Sequence, residues 1–261
     1  MSTDDVMASF GLEPEPELVI PDAGVIEREG KRWAWCFDGP TRRFVEVEVR
    51  MHKTLERWVR RDTFDPDSIK ECHDHYDRLQ CAGKRVMDLG SNIGGFARMA
   101  VEQGATQVVA VEPCPYNFEI LKLNSPDSVN IWAGAVPDDR EEVHFIYAVS
   151  KRNSVSSSTL KRRNSSDVSI MVPARNIVEL LDEYKPQVLK CDIEGGEYEL
   201  LDAMGKIPDY VEQAAFEFHR GSEPYKQYPA RFFPEDQWDM YEDEGGRFST
   251  LRDLIFIRKG A

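Results

Sequence analysis

The chain has 261 residues, 41% apolar and 31% charged, and its 47 acids against 33 bases give a formal net charge of -14. That length can bury a core without staples, and that composition excludes a fibrous or largely disordered protein. So acidic a surface repels phosphate backbones, which argues against general nucleic-acid binding unless bases gather locally. No run of 18 or more apolar residues exists, and the first ten residues hold acids where a signal peptide holds bases. A cytoplasmic protein with no membrane partner is expected. The cysteines at 36, 72, 81, 114 and 191 form no CxxC pair, so free thiols are expected rather than a disulfide framework or zinc ribbon.

Residues 1–22 carry six acids and no base around a Pro-broken run, and 1–24 reads as a loosely held acidic arm. Over 25–50 an alternating pattern flanks Asp38-Gly39-Pro40 and predicts a β-hairpin, with a helix-rich stretch at about 53–81. Together 25–83 form an N-terminal hairpin and helical extension, and 84–261 the main domain. From residue 84 short apolar runs alternate with helical segments: VMDLG, then GGFARMAVEQG, QVVAVEP, YNFEILKLN and VNIWAGAV at 129–136. Strands alternating with helices predict a parallel sheet with right-handed crossovers. VHFIYAV (143–149) and VSIMVPA (168–174) read as extra strands around a polar loop. A helix near 176–183, strands at 187–194 and 214–219, and a strand pair over 248–259 complete the pattern.

The stretch Asp88-Leu89-Gly90-Ser91-Asn92-Ile93-Gly94-Gly95-Phe96 follows a strand and opens a helix, where an α/β sheet binds a nucleotide-like ligand. Glu112 ends the next strand, 24 residues after Asp88, where an acid can accept both hydroxyl hydrogens of a ribose. A dinucleotide fingerprint needs Gly at the middle position, and here it is Asn92. Asp88 also suits a cationic group better than a pyrophosphate. A ribose, an adenine and a cationic amino-acid tail are the groups of S-adenosylmethionine.

DLGSNIGGFA (88–97), VEPCPYNFEILKLN (111–124), AGAV at 133–136 and above all LKCDIEGGEYELL (189–201) resemble the FkbM family of class I methyltransferases, over roughly 84–219. The resemblance implies an α/β, Rossmann-like fold with a mostly parallel seven-stranded sheet carrying an antiparallel edge strand. It also implies S-adenosylmethionine as cofactor and methylation of hydroxyl groups. Asp88, Gly90 and Asn92 match the cofactor loop, with Ser91, Gly94 and Phe96 beside them. Glu112 matches the acid on the ribose, followed by Pro113. Asn117 matches a position near the adenosine, and Ala135 and Val136 are expected against the adenine. Cys191 and Gly196 depart from the common family pattern.

Lys190, Asp192 and Glu194 lie at period two, so they share one face of a strand or its tip. Charges in a strand otherwise buried on both sides break the apolar rule at the end that borders the ligand crevice. Asp192 is expected as base or acceptor anchor, since methyl transfer to an alcohol requires removal of its proton. Lys190, Glu194 and His219 join it as catalytic candidates, and Glu217, two before His219, as an acceptor-binding one. Asp192, Glu194, Glu217 and His219 form either an acid–base set or, less favoured, a divalent-metal site through Asp192, Glu217 and His219. Glu194 and Glu197 can equally serve as acids at a helix start.

The loop 151–166 holds five bases and no acid. It is either a solvated face or a lid whose Lys161, Arg162 and Arg163 hold an anionic acceptor. His73 and His75, with Cys72, point to different faces of a probable helix and share no ion. Trp33, Trp35, Phe37 and Phe44 read as core. The favoured function is O-methylation of a sugar-containing or other small acceptor. The alternatives are 2′-O-methylation of an RNA end or nucleotide, and a non-catalytic nucleoside-binding subunit. The N-terminal extension would cover the acceptor site or form a homodimer contact.

Overall fold

The computed structural model describes residues 21–38, 43–147, 168–219, 228–242 and 251–261. The acidic arm, apart from 21–24, and the basic loop with Lys161, Arg162 and Arg163 lie outside them. Strands β1 (Val25–Arg28), β2 (Lys31–Asp38), β3 (Arg43–His52) and β4 (Arg57–Arg60) form an antiparallel sheet in that order. Glu29 and Gly30 both take positive φ between β1 and β2, the backbone of a two-residue turn that matches strand twist. The hairpin expected over 25–50 is thus three strands, to which β4 adds a fourth. The stretch expected to be helix-rich begins with β4 and contains one helix, α1 (Asp65–His75).

Next come β5 (Arg85–Leu89), α2 (Gly95–Glu102), β6 (Gln107–Glu112), α3 (Pro115–Asn124), β7 (Val129–Trp132), β8 (Gly134–Val136), β9 (Glu142–Tyr147) and β10 (Val168–Asn176). The chain closes with α4 (Ile177–Tyr184), β11 (Val188–Cys191), α5 (Glu197–Met204), β12 (Gln213–His219), β13 (Trp238–Glu242) and β14 (Leu251–Arg258). Seven strands pair in the order β13-β14-β12-β11-β5-β6-β7. Only β14 runs against the rest, and β13 lies outside it. The antiparallel strand therefore sits one place in from the edge. The strand pair expected over 248–259 is this single strand, whose outer partner is β13. The run 129–136, expected as one strand, divides: β7 ends the large sheet, and β8 joins a small sheet of order β8-β10-β9.

Both faces of the large sheet are covered, so its central strands are almost wholly apolar. Met87, Leu89, Leu189, Cys191, Ala214 and Phe216 pack on one side with Leu180 and Leu181 of α4 and Leu200 and Leu201 of α5. Val86, Ala110, Val188 and Ala215 pack on the other with Tyr76 and Phe96. Among the described residues no helix is long and apolar enough to cross a membrane.

The N-terminal sheet is joined to the main sheet by polar side chains as well as by packing. Asn124 Oδ1 accepts from Trp58 N at 2.7 Å, while its Nδ2 donates to Trp58 O and, at 2.8 Å, to Ile93 O in the glycine loop. Ile93 itself packs with Ala34, Val49, Val59 and Ile69. Arg60 is buried with Asp65 in an ion pair of 2.9 Å, and its Nη2 also donates to Asn117 Oδ1 at 2.8 Å. Burial alone would lower the arginine pKa, but Asp65 holds it above the usual value. Removing one partner of such a pair strands a buried charge. Asp65→Ala should therefore lose about 3–5 kcal/mol of stability, read as a lower urea midpoint, and an unchanged midpoint would contradict this placement.

Candidate functional site

The glycine loop bends because Gly90, Asn92 and Gly94 all take positive φ. At Gly90 no side chain fits, since an added Cβ would lie 1.7 Å from the Asp192 carbonyl oxygen. The first loop thus packs directly on the turn after β11. Gly94 precedes α2, where a Cβ would meet Leu121 Cδ1 at 2.8 Å.

The loop's hydrogen bonds show what kind of ligand it suits. Gly90 N and Ser91 N donate to Val111 O, Gly94 N to Ser91 O, and Asn92 N to Glu112 Oε2 at 2.7 Å. These amides are occupied within the protein, unlike the free N–H cradle of a phosphate loop. Acceptors, by contrast, are left over. Asp88 is fully buried, with Oδ1 3.2 Å from the Lys190 ammonium and no hydrogen-bond donor on Oδ2 among the described residues; Asn92 Oδ1 is likewise unmatched. Buried acceptors without donors are costly, so the crevice suits a ligand rich in hydrogen-bond donors and positive charge. An ammonium, a sulfonium and a ribose diol meet that description, and the residues present therefore fit S-adenosylmethionine. Ser91 Oγ donates to Asp88 O at 2.8 Å and shapes the loop.

Lys190 lies beside Asp88 in the paired strands β11 and β5. Its buried ammonium is 3.2 Å from Asp88 Oδ1, donates to Gly90 O at 2.9 Å, and reaches Asp192 Oδ2 at 3.6 Å. Burial would lower the lysine pKa, but Asp88 and Asp192 hold it above the ordinary range. Asp88 is pushed upward by burial and pulled down by Lys190. The 3.2 Å pair argues that both remain charged. Because β11 ends at Cys191, only Lys190 of the expected trio is on the strand. Asp192 and Glu194 are in the turn, where Glu194 takes positive φ.

That turn faces the end of β12. His219 is 6% exposed, with Nδ1 at 3.1 Å from Glu197 Oε1 and 3.1 Å from Glu217 O. Its Nε2 lies 3.5 Å from Glu194 Oε2 and 3.6 Å from Glu217 Oε1. Burial opposes the charged imidazole, but Glu197, Glu194 and Glu217 raise its pKa to about 10. Burial, with Asp192 close by, raises the Glu217 carboxyl well above the usual range. Glu197 does more than cap a helix: its Oε1 accepts from Ile193 N and Gly195 N, both at 3.1 Å, and holds the turn in place. Asp192, Glu197 and His219 each bring a ligand atom within 4.8 Å of the others, so Glu197 joins the expected candidates Asp192 and His219 while Glu217 flanks them.

The remaining expected residues occupy varied positions. Glu112 is 4% exposed at the tip of β6, and its Oε1 accepts from Cys114 N at 2.9 Å. Asn117 is held by Arg60 from the N-terminal sheet. Ala135 and Val136 are buried on β8, in different apolar clusters. Phe96 packs into the core, 5.5 Å from the Tyr76 ring, and Pro113 O accepts from Trp132 Nε1 at 3.0 Å. Sequence reasoning passed over Asp253, although an acid directly before the apolar run LIFI (254–257) was the signal. It pairs across the strands with Glu217, and its Oδ2 lies 2.6 Å from His75 Nδ1.

The sequence matches a family described as the methyltransferase FkbM domain across residues 88–230. No curated protein matches it in sequence. Distantly similar solved structures include TYW2 of M. jannaschii in complex with AdoMet (10% identity, 92% of this chain and 87% of that one, TM-score 0.41). A TehB-like SAM-dependent methyltransferase from Corynebacterium glutamicum (11%, 72% and 87%, 0.39) and a ribosomal protein L11 methylase from Lactobacillus delbrueckii subsp. bulgaricus (13%, 74% and 79%, 0.38) are others.

Burial pushes the Glu112 carboxyl from an ordinary 4.5 up to about 8. Hydroxyls that donate to it favour the ionised form, so binding releases a proton. Affinity for S-adenosylhomocysteine should therefore rise between roughly pH 6 and pH 8, by up to about tenfold per unit, then level off. Calorimetry across that range reads the slope, which Glu112→Gln should abolish. A flat wild-type profile would contradict the assignment.

Proposed function

The chain belongs to the FkbM family of methyltransferases, S-adenosylmethionine-dependent enzymes, and on that premise we propose that it methylates a hydroxyl oxygen of a sugar-containing or other small acceptor. The observation that carries this reading is Asp192, a partly exposed carboxylate between the glycine loop and the buried cluster around His219. S-adenosylmethionine supplies a methyl group made electrophilic by its sulfonium. The chain's own residues have three tasks: to hold the ligand, to place the acceptor oxygen in line, and to take its proton.

Asp88 and Glu112 hold the ligand's charged tail and ribose at the ends of adjacent strands. Asp192 is the proposed base, its position set by Lys190 Nζ and by its own N–H, which donates to Leu89 O at 3.1 Å. While no cation competes for its ring nitrogens, His219 with its raised pKa keeps its proton near neutral pH, which leaves the base role to Asp192. Asp192, Glu194, Glu217 and Asp253 gather acids at this end of the sheet. Such a rim favours hydroxyl-rich acceptors over polyanions and supports a glycan or small molecule above an RNA end. The basic residues Lys161, Arg162 and Arg163 would serve an acceptor that carries one local anionic group.

Transfer of radiolabelled methyl from S-adenosylmethionine to a panel of glycosides, nucleotide sugars and capped RNA tests this reading. A glycoside or nucleotide sugar should be labelled, and Asp192→Asn should lower kcat by about 10²–10⁴-fold with S-adenosylhomocysteine affinity preserved. Full turnover by Asp192→Asn would remove it as the base.

A further inference from the structure

Carboxylates outnumber cations around His219 among the described residues, where Lys190 reaches only Asp192. Four carboxylates, those of Asp192, Glu194, Glu197 and Glu217, surround one imidazole at the joined ends of β11 and β12. Glu197 is fully buried. While its Oε1 is engaged by Ile193 N, Gly195 N and His219 Nδ1, its Oε2 has no hydrogen-bond partner among the described residues. A buried carboxylate oxygen left without a donor is costly, and clustered carboxylates repel one another unless a cation lies between them.

We propose that Asp192, Glu197 and His219 form a binding site for one divalent first-row transition ion, to which the acceptor's hydroxyl oxygen is presented. Their ligand atoms lie within 4.8 Å of one another. Bonds of about 2.0–2.2 Å place ligand atoms up to roughly 4.4 Å apart across an ion, so small side-chain movements close the site. One imidazole nitrogen with carboxylate oxygens suits Mn²⁺, Co²⁺ or Zn²⁺ better than Ca²⁺, which takes oxygen ligands throughout. Asp192, the partly exposed member, provides the way in for the ion and borders the cofactor crevice. Glu194 and Glu217, close to His219 Nε2, stay as outer partners that steady the ligands. In that position the ion would orient the acceptor oxygen and favour loss of its proton. The ion site itself stands on the cluster, and its use in catalysis rests on the methyl-transfer reading above.

Chelator-treated full-length protein, titrated with Mn²⁺ and followed by loss of the free-ion electron paramagnetic resonance signal, tests the site. Co²⁺ absorption reports the ligand field in parallel. The wild type should bind one ion per chain, and Asp192→Asn and His219→Gln, which remove ligands, should each weaken binding by more than the roughly 10–100-fold typical of outer partners. The Asp192 change, at a partly exposed side chain, leaves the fold intact, which S-adenosylhomocysteine binding by the same variant verifies. Absence of saturable Mn²⁺ and Co²⁺ binding, or wild-type affinity in both variants, would overturn the proposal. Cofactor binding without ion binding would sink this inference and leave the methyl-transfer reading standing. Ion binding without cofactor binding would do the opposite.

Discussion

One buried ammonium holds the crevice together. Lys190 occupies a strand covered on both faces, where an apolar residue would cost least, and there it reaches Asp88, the Gly90 carbonyl and Asp192. These three groups belong to the strand before the glycine loop, the loop itself and the turn after β11. Without Lys190, the fully buried Asp88 would lose its compensating charge, a defect on the order of 3–5 kcal/mol. With it, Asp88 can stay ionised in the core, and the loop carbonyl is fixed where Gly90 touches Asp192. The balance of Asp88 and Asp192 against one lysine still leaves the site negative, and that favours a cationic ligand over a pyrophosphate.

The same economy of contacts gives the N-terminal sheet a place in the site. Asn124 bonds at once to the edge strand β4 and to Ile93 of the glycine loop, and Arg60 reaches from that strand to Asn117. The loop's outer side is therefore backed by the N-terminal strands and α1 as well as by its own helix. The extension that sequence reading assigned to acceptor cover or dimer contact packs against the glycine loop. Its buried ion pair makes the attachment sensitive to single substitutions.

Much of this was legible in the sequence because the signals were local. The DLGSNIGG run after a strand, Glu112 at the end of the next one, and the alternation of apolar runs with helices correspond to β5, β6 and their crossovers. What was missed depended on distant partners. VNIWAGAV reads as one apolar run, yet it divides between two sheets because β10 returns to pair with β8. WDMYE in β13 looks like acidic surface, since an edge strand can leave Asp239 and Met240 exposed. Arg60 in a short polar strand reads as solvated, and only the fold brings Asp65 and Asn117 to it. Glu197 at a helix start has the local appearance of a cap, while its contacts with Ile193, Gly195 and His219 arise from the turn geometry and from a strand 22 residues further on.

We expect this site to take a cationic adenosyl ligand through Asp88 and Glu112, since the amides of Gly90, Ser91, Asn92 and Gly94 are already engaged within the protein. Isothermal titration of the full chain with S-adenosylmethionine and, separately, with NAD⁺ tests it most directly. Saturable one-to-one binding of S-adenosylmethionine, lost in Glu112→Ala, with no heat from NAD⁺ is the expected result. Saturable NAD⁺ binding, or none of S-adenosylmethionine at millimolar ligand, would contradict it.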